Sequence, residues 1–212
     1  MKAPVVLLSA PVLLALWRYH GVVKDRHGPL EGCYFQFIFF FAIVGILPAL
    51  YALASGVRLA ELGLGAGDAR FGATLLLLLI PIMVLPVTYI ASGMADVRAE
   101  YPMCQALYTR RDLVIWYELA YVAVFYTAWE FYFRGFLLFG LKSELGATNA
   151  IVIQTVVSSL LHIGKPEGEI LGSIPIGLLF GWLALRTRSI WYGWAVHASI
   201  GVLADLFILG LA

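Results

Sequence analysis

The sequence predicts an all-α polytopic membrane protein with about seven transmembrane helices, and three observations carry that expectation. Of its 212 residues, 62% are hydrophobic and only 13% charged, where an ordinary globular domain is about 25% charged. Mean hydropathy is +0.90. The apolar residues fall into runs near the ~20-residue length that crosses a bilayer core, parted by short charged or turn-rich segments. No room is left for a soluble domain, so one membrane-embedded unit is expected over residues 1–212, with accessory helices in 1–111 and a helical core in 112–212.

Taken in order, the spans fall at residues 3–19, 34–55, 71–93, 113–141, 148–163, 170–185 and 190–211. Lys2 followed by an apolar run has the charge pattern of a signal peptide. No small-x-small cleavage site follows, so a retained first helix is expected. His20 and His27 fall in the polar 18–32 segment and read as solvated loop histidines. Pro48, Pro81 and Pro86 lie inside spans, where neighbouring helices satisfy the carbonyls a proline frees, so they predict kinks rather than breaks. Gly177 and Gly181 form a small-xxx-small pair that permits close helix approach. Trp17, Tyr19, Trp191, Tyr192 and Trp194 stand near span ends and fit interfacial belts.

The fourth span raises a difficulty. As one straight helix, residues 113–141 would measure about 43 Å against a core of about 30 Å. Glu130 would then lie towards one membrane face and His162, after the chain turns back, towards the other. A site joining them requires a helix that starts deeper or a displaced fifth span.

Composition also excludes classes of partner. A net charge of +1 offers no field for nucleic acid and no polybasic arm for lipid headgroups. Cys33 and Cys104 have neither metal-ligand nor redox spacing.

Against this background, Trp129-Glu130-Phe131-Tyr132-Phe133-Arg134-Gly135-Phe136 places a carboxylate and a guanidinium one helical turn apart in apolar sequence. Ionisable groups at membrane depth are costly and mark functional sites. His162 ends one apolar run and His197 lies within another. A single such histidine would read as a core residue bonded to a carbonyl. Two of them beside an intramembrane Glu and Arg need buried partners, and one another are the natural ones. Peptide hydrolysis needs a base for water, donors for the oxyanion and a proton for the leaving amine. Glu130 with His162 and His197 meets that list. Ligation of zinc is the competing use of His, His and Glu, but no HExxH-type local pair supports it, so no cofactor is expected.

These residues resemble the CPBP or Abi intramembrane proteases, relatives of the type II CAAX prenyl endopeptidase. The family's EExxxR motif, often continuing FRG, matches Trp129-Glu130-Phe131-Tyr132-Phe133-Arg134-Gly135 except at its first Glu. Its FxxxH motif corresponds to Ser158-Ser159-Leu160-Leu161-His162. Its third motif, a His followed four residues later by Asn or Asp, corresponds to His197 and Gly201. Glu61-Leu62-Gly63-Leu64 is similar to a turn seen upstream of the family core. Trp129 thus replaces the carboxylate generally assigned as base, and Gly201 replaces the expected oxyanion donor; neither Ser199 nor Asp205 is equivalent to it. Some relatives tied to bacterial C-terminal sorting systems are likewise single-Glu variants.

The resemblance implies an intramembrane endopeptidase of a bacterial inner membrane, cutting a membrane-anchored protein or C-terminal tail near the interface. Glu130 would activate water, Arg134 would hold Glu130, and His162 and His197 would orient water and stabilise the oxyanion. The alternatives are a catalytically silent binding or immunity-type protein on the same scaffold, and a small proton-coupled transporter.

Overall fold

The computed structural model describes residues 1–17 and 28–212. The readings placed on Tyr19, His20 and His27 lie outside the described residues. No strand occurs among those described. Helix α1 (Ala3–Trp17) is short. Among the described residues, five further helices are long and apolar enough to cross a membrane: α2 (Pro29–Ala54), α3 (Ala69–Ser92), α4 (Arg111–Leu160), α5 (Glu167–Thr187) and α6 (Trp191–Leu209). The chain is therefore an all-α polytopic membrane protein. Exposed Leu77, Ile82 and Ile90 on α3 give it an apolar face of the kind lipid accommodates.

Helix α2 begins at Pro29, inside the segment expected to be loop through residue 32, because proline suits the first helical turn, where its missing N–H costs nothing. The prolines further along do not break their helices. Pro48 follows a π-helical turn at Phe41–Ile46, and Pro81 sits in another at Ile80–Val84, so the widened turn absorbs the lost hydrogen bond. Cys33 and Cys104 are both buried and reach the same Pro29 carbonyl, at 3.1 and 3.6 Å.

The largest departure from expectation lies in α4. The predicted loop at 142–147 is helical except at Gly146, whose φ of 79° and ψ of 163° break the run. Only glycine takes that conformation without strain. The break also removes the depth difficulty. Glu130 precedes Gly146 by 16 residues (146 − 130), and His162 follows it by 16 (162 − 146). Each limb is about 24 Å long at 1.5 Å per residue, so a chain that doubles back at Gly146 returns His162 to the level of Glu130. The rings of Trp129 and His162 accordingly lie 5.4 Å apart.

Beyond the bend, α4 and α5 approach closely, as the glycine pair predicts. A Cβ at Gly177 would stand 2.8 Å from Thr155 and one at Gly181 2.7 Å from Gln154. Gln154 Nε2 uses the proximity to donate to the Gly177 carbonyl at 2.8 Å. Without a hydrophobic drive between helices in lipid, such packing and interhelical hydrogen bonds hold the bundle together.

A loop fixes the start of α6. Ile190 N donates to Gly63 O at 2.9 Å, and Asp68 N to Thr187 O at 2.8 Å. Trp191 Nε1 donates to Leu64 O at 3.0 Å and Tyr192 Oη to Ala66 O at 2.6 Å. Trp191 and Tyr192 do stand at a span end, but their polar tips serve this loop rather than headgroups. Trp194 also departs from the belt reading, since its Nε1 reaches Val122 O on α4 at 3.3 Å. Asp68 caps α3 through Phe71 N at 3.1 Å; that hydrogen bond first, and the Arg186 guanidinium second, hold its carboxyl below the usual range. Gly67 has φ +57°, and a Cβ there would meet Thr187 O at 1.9 Å. Gly67→Ala is therefore expected to open the loop and cost about 1–3 kcal/mol, read as a lowered thermal midpoint in detergent; an unchanged midpoint would contradict the clamp.

Candidate active site

The site is built where α4, the turn after it, α5 and α6 meet. Glu130 closes an α-helical turn, and the next seven residues, Phe131–Leu137, run as a π-helix carrying Arg134. Such local widening is common at functional sites. The guanidinium turns back to donate from Nη1 to Glu130 Oε1 at 3.2 Å, and it packs against the Phe180 ring at 5.3 Å. Gly135 follows because a Cβ there would lie 2.9 Å from the Leu62 carbonyl. The loop that clamps α6 thus also lies against the Glu–Arg motif.

From α6, His197 Nδ1 lies 2.7 Å from the same Glu130 Oε1. A carboxylate only accepts, so Nδ1 carries the proton and Nε2 is left to the site. Glu130 is wholly buried, and its Oε2 has no protein partner. His162 arrives from the turn after α4, with Nδ1 2.8 Å from Ser158 O. That carbonyl also only accepts, which again leaves Nε2 free. Of the residues singled out from sequence, Arg134 and His197 both reach Glu130, and the His162 and His197 rings lie 5.4 and 5.9 Å from the indole of the adjacent Trp129. Trp129 thus packs against both histidines.

Gly201 finds a physical reason in Tyr126. A Cβ at Gly201 would lie 2.0 Å from the Tyr126 hydroxyl oxygen, and the Tyr126 ring stands edge-on to His197 at 4.7 Å. The space for a side chain one turn beyond His197 is thus occupied by a phenol from α4. Ser199, by contrast, spends its hydroxyl on Ala195 O at 2.7 Å. Gly201→Ala is expected to cost about 1–3 kcal/mol by overpacking, with a smaller cost in a Tyr126→Phe background. Equal costs in the two backgrounds, by thermal unfolding, would contradict the contact.

Two acidic features escaped the sequence reading. Glu169, in the first turn of α5, places Oε1 3.8 Å from His162 Nε2. Tyr101 Oη donates to both of its oxygens, at 2.9 and 2.8 Å. Elsewhere Glu118 and Asp205 are both buried, and all four of their carboxyl oxygens lack a protein hydrogen-bond partner. Among the described residues, no group of three or more His, Cys, Asp or Glu side chains is arranged to hold a metal ion.

A bundle of apolar helices enclosing a buried Glu–Arg–His cluster defines a polytopic membrane protein with an intramembrane polar site. Residues 111–203 match the family model for type II CAAX prenyl endopeptidase Rce1-like proteins, so this segment is similar to that family. The matched region contains Glu130, Arg134, Glu169, His162 and His197. No curated protein and no solved structure matched the chain.

Proposed function

We propose that the protein is an intramembrane endopeptidase that hydrolyses a peptide bond in a membrane-anchored protein or C-terminal tail, with the bilayer delivering the substrate to the site. The observation that carries this reading is the 2.7 Å contact between Glu130 Oε1, which is buried, and His197 Nδ1. A carboxylate behind an imidazole fixes the tautomer and stabilises the imidazolium formed when the ring takes a proton. Glu130 accordingly activates water through His197, whose side chain keeps 19% of its surface exposed while that of Glu130 keeps none. Arg134 neutralises and orients Glu130, and the Tyr126 hydroxyl, which lies against Gly201, serves as the oxyanion donor.

The silent-scaffold reading draws on one observation, the complete burial of Glu130. One experiment separates the two. The purified chain in proteoliposomes is given internally quenched peptides ending in a single-span tail or in a farnesylated CAAX sequence. Cleavage of either set that is lost in His197→Ala supports the protease, and the set cleaved identifies the substrate class. Failure to cleave any, by protein that unfolds cooperatively, supports the silent scaffold.

A further inference from the structure

Building on the hydrolytic reading above, we propose that Glu169 is a second catalytic carboxylate, which with His162 holds the proton that the leaving amine takes up. His162 Nδ1 is bonded to the Ser158 carbonyl, so a neutral ring points a lone pair from Nε2 towards Glu169 Oε1, 3.8 Å away. Two acceptors 3.8 Å apart, with side chains 14% and 28% exposed, repel unless one of them holds a proton. Tyr101 fixes the carboxyl from behind through both oxygens. Burial first and the Glu169 charge second push the Tyr101 phenol well up, so it remains a donor. The nearby cation Lys165 is paired with Glu100 and lies against the Tyr101 ring.

The two carboxylates are thereby given different tasks by their surroundings, a recurrent way for one site to run acid and base chemistry together. Glu130 is sealed and is bonded by Arg134 and His197, whereas the Glu169 side chain keeps 28% of its surface exposed. The step balances. His197 Nε2 takes a proton from water as its oxygen bonds to the carbonyl carbon. The C–N bond then breaks as the amine nitrogen takes the proton held by Glu169 and His162. Transfer of a proton from the His197 imidazolium back to that pair restores the enzyme, so the net reaction is addition of one water across the peptide bond.

The test uses one tail peptide made with either a scissile amide or a p-nitrophenyl ester, assayed in proteoliposomes. Nitrophenolate departs without a proton, whereas an amine does not. Glu169→Gln is expected to lower kcat on the amide by about 10²-fold, leave KM within a few-fold, and leave ester hydrolysis nearly unchanged. His197→Ala lowers both. Tyr101→Phe, which keeps the carboxyl but loses its fixing bonds, is expected to show a smaller loss on the amide alone. Equal loss on both substrates, or none on the amide, overturns the proposal. If the wild type cleaves neither substrate, the hydrolytic reading has failed, and the shared proton is read separately by infrared spectroscopy. A protonated-carboxyl stretch that shifts in D2O and vanishes in Glu169→Gln upholds it, and absence of that band in the wild type overturns it.

Discussion

Glu130→Gln is expected to reduce peptide cleavage by about 10³-fold, within the range that general-base contributions span. The amide keeps the shape of the carboxylate but cannot stabilise an imidazolium at His197, so the 2.7 Å contact loses its chemical effect while its geometry persists. The loss should fall on kcat rather than KM, because Glu130 is buried behind the histidine and makes no contact with a bound tail. Retention of more than a tenth of the wild-type kcat would contradict the role assigned to Glu130.

Arg134→Leu is expected to produce the largest loss of stability. The guanidinium and the carboxylate are 4% and 0% exposed, and removing one partner of a buried pair leaves an uncompensated charge that costs about 3–5 kcal/mol. The same argument makes Glu130→Gln destabilising, since Arg134 is then the unpaired charge. Joining the two changes removes both charges together, so Glu130→Gln/Arg134→Leu should recover most of the thermal midpoint lost by either single variant while remaining inactive. A double variant as unstable as the sum of the singles would show that the pair is not the structural unit described.

The four residues Glu130, Arg134, His162 and His197 were legible because ionisable groups are expensive inside apolar runs, and each stands out against its neighbours. Glu169 was not legible for the opposite reason. It lies in Lys165-Pro166-Glu167-Gly168-Glu169, a charged turn in which an acid is unremarked, and only its contact with Tyr101, 68 residues earlier, and with His162 sets it apart. Tyr126 was hidden in an aromatic run, although Gly201 offered a signal: a glycine where a side chain is expected asks what fills the space. Gly146 was absorbed into a predicted loop because Lys142 and Glu144 flank it, whereas the helix continues through both and breaks only at the glycine. The spans themselves were readable from hydropathy alone, while their π-helical turns, which depend on packing between helices, were not.

The most direct test of hydrolysis at this site is cleavage of a reconstituted tail peptide in H2(18O), with the products mapped by mass spectrometry. The account predicts one peptide bond cut near the membrane interface, one 18O atom in the new carboxylate, and loss of that product in Glu130→Gln and His197→Ala. An intact peptide, or a labelled product formed equally well by both variants, would contradict it.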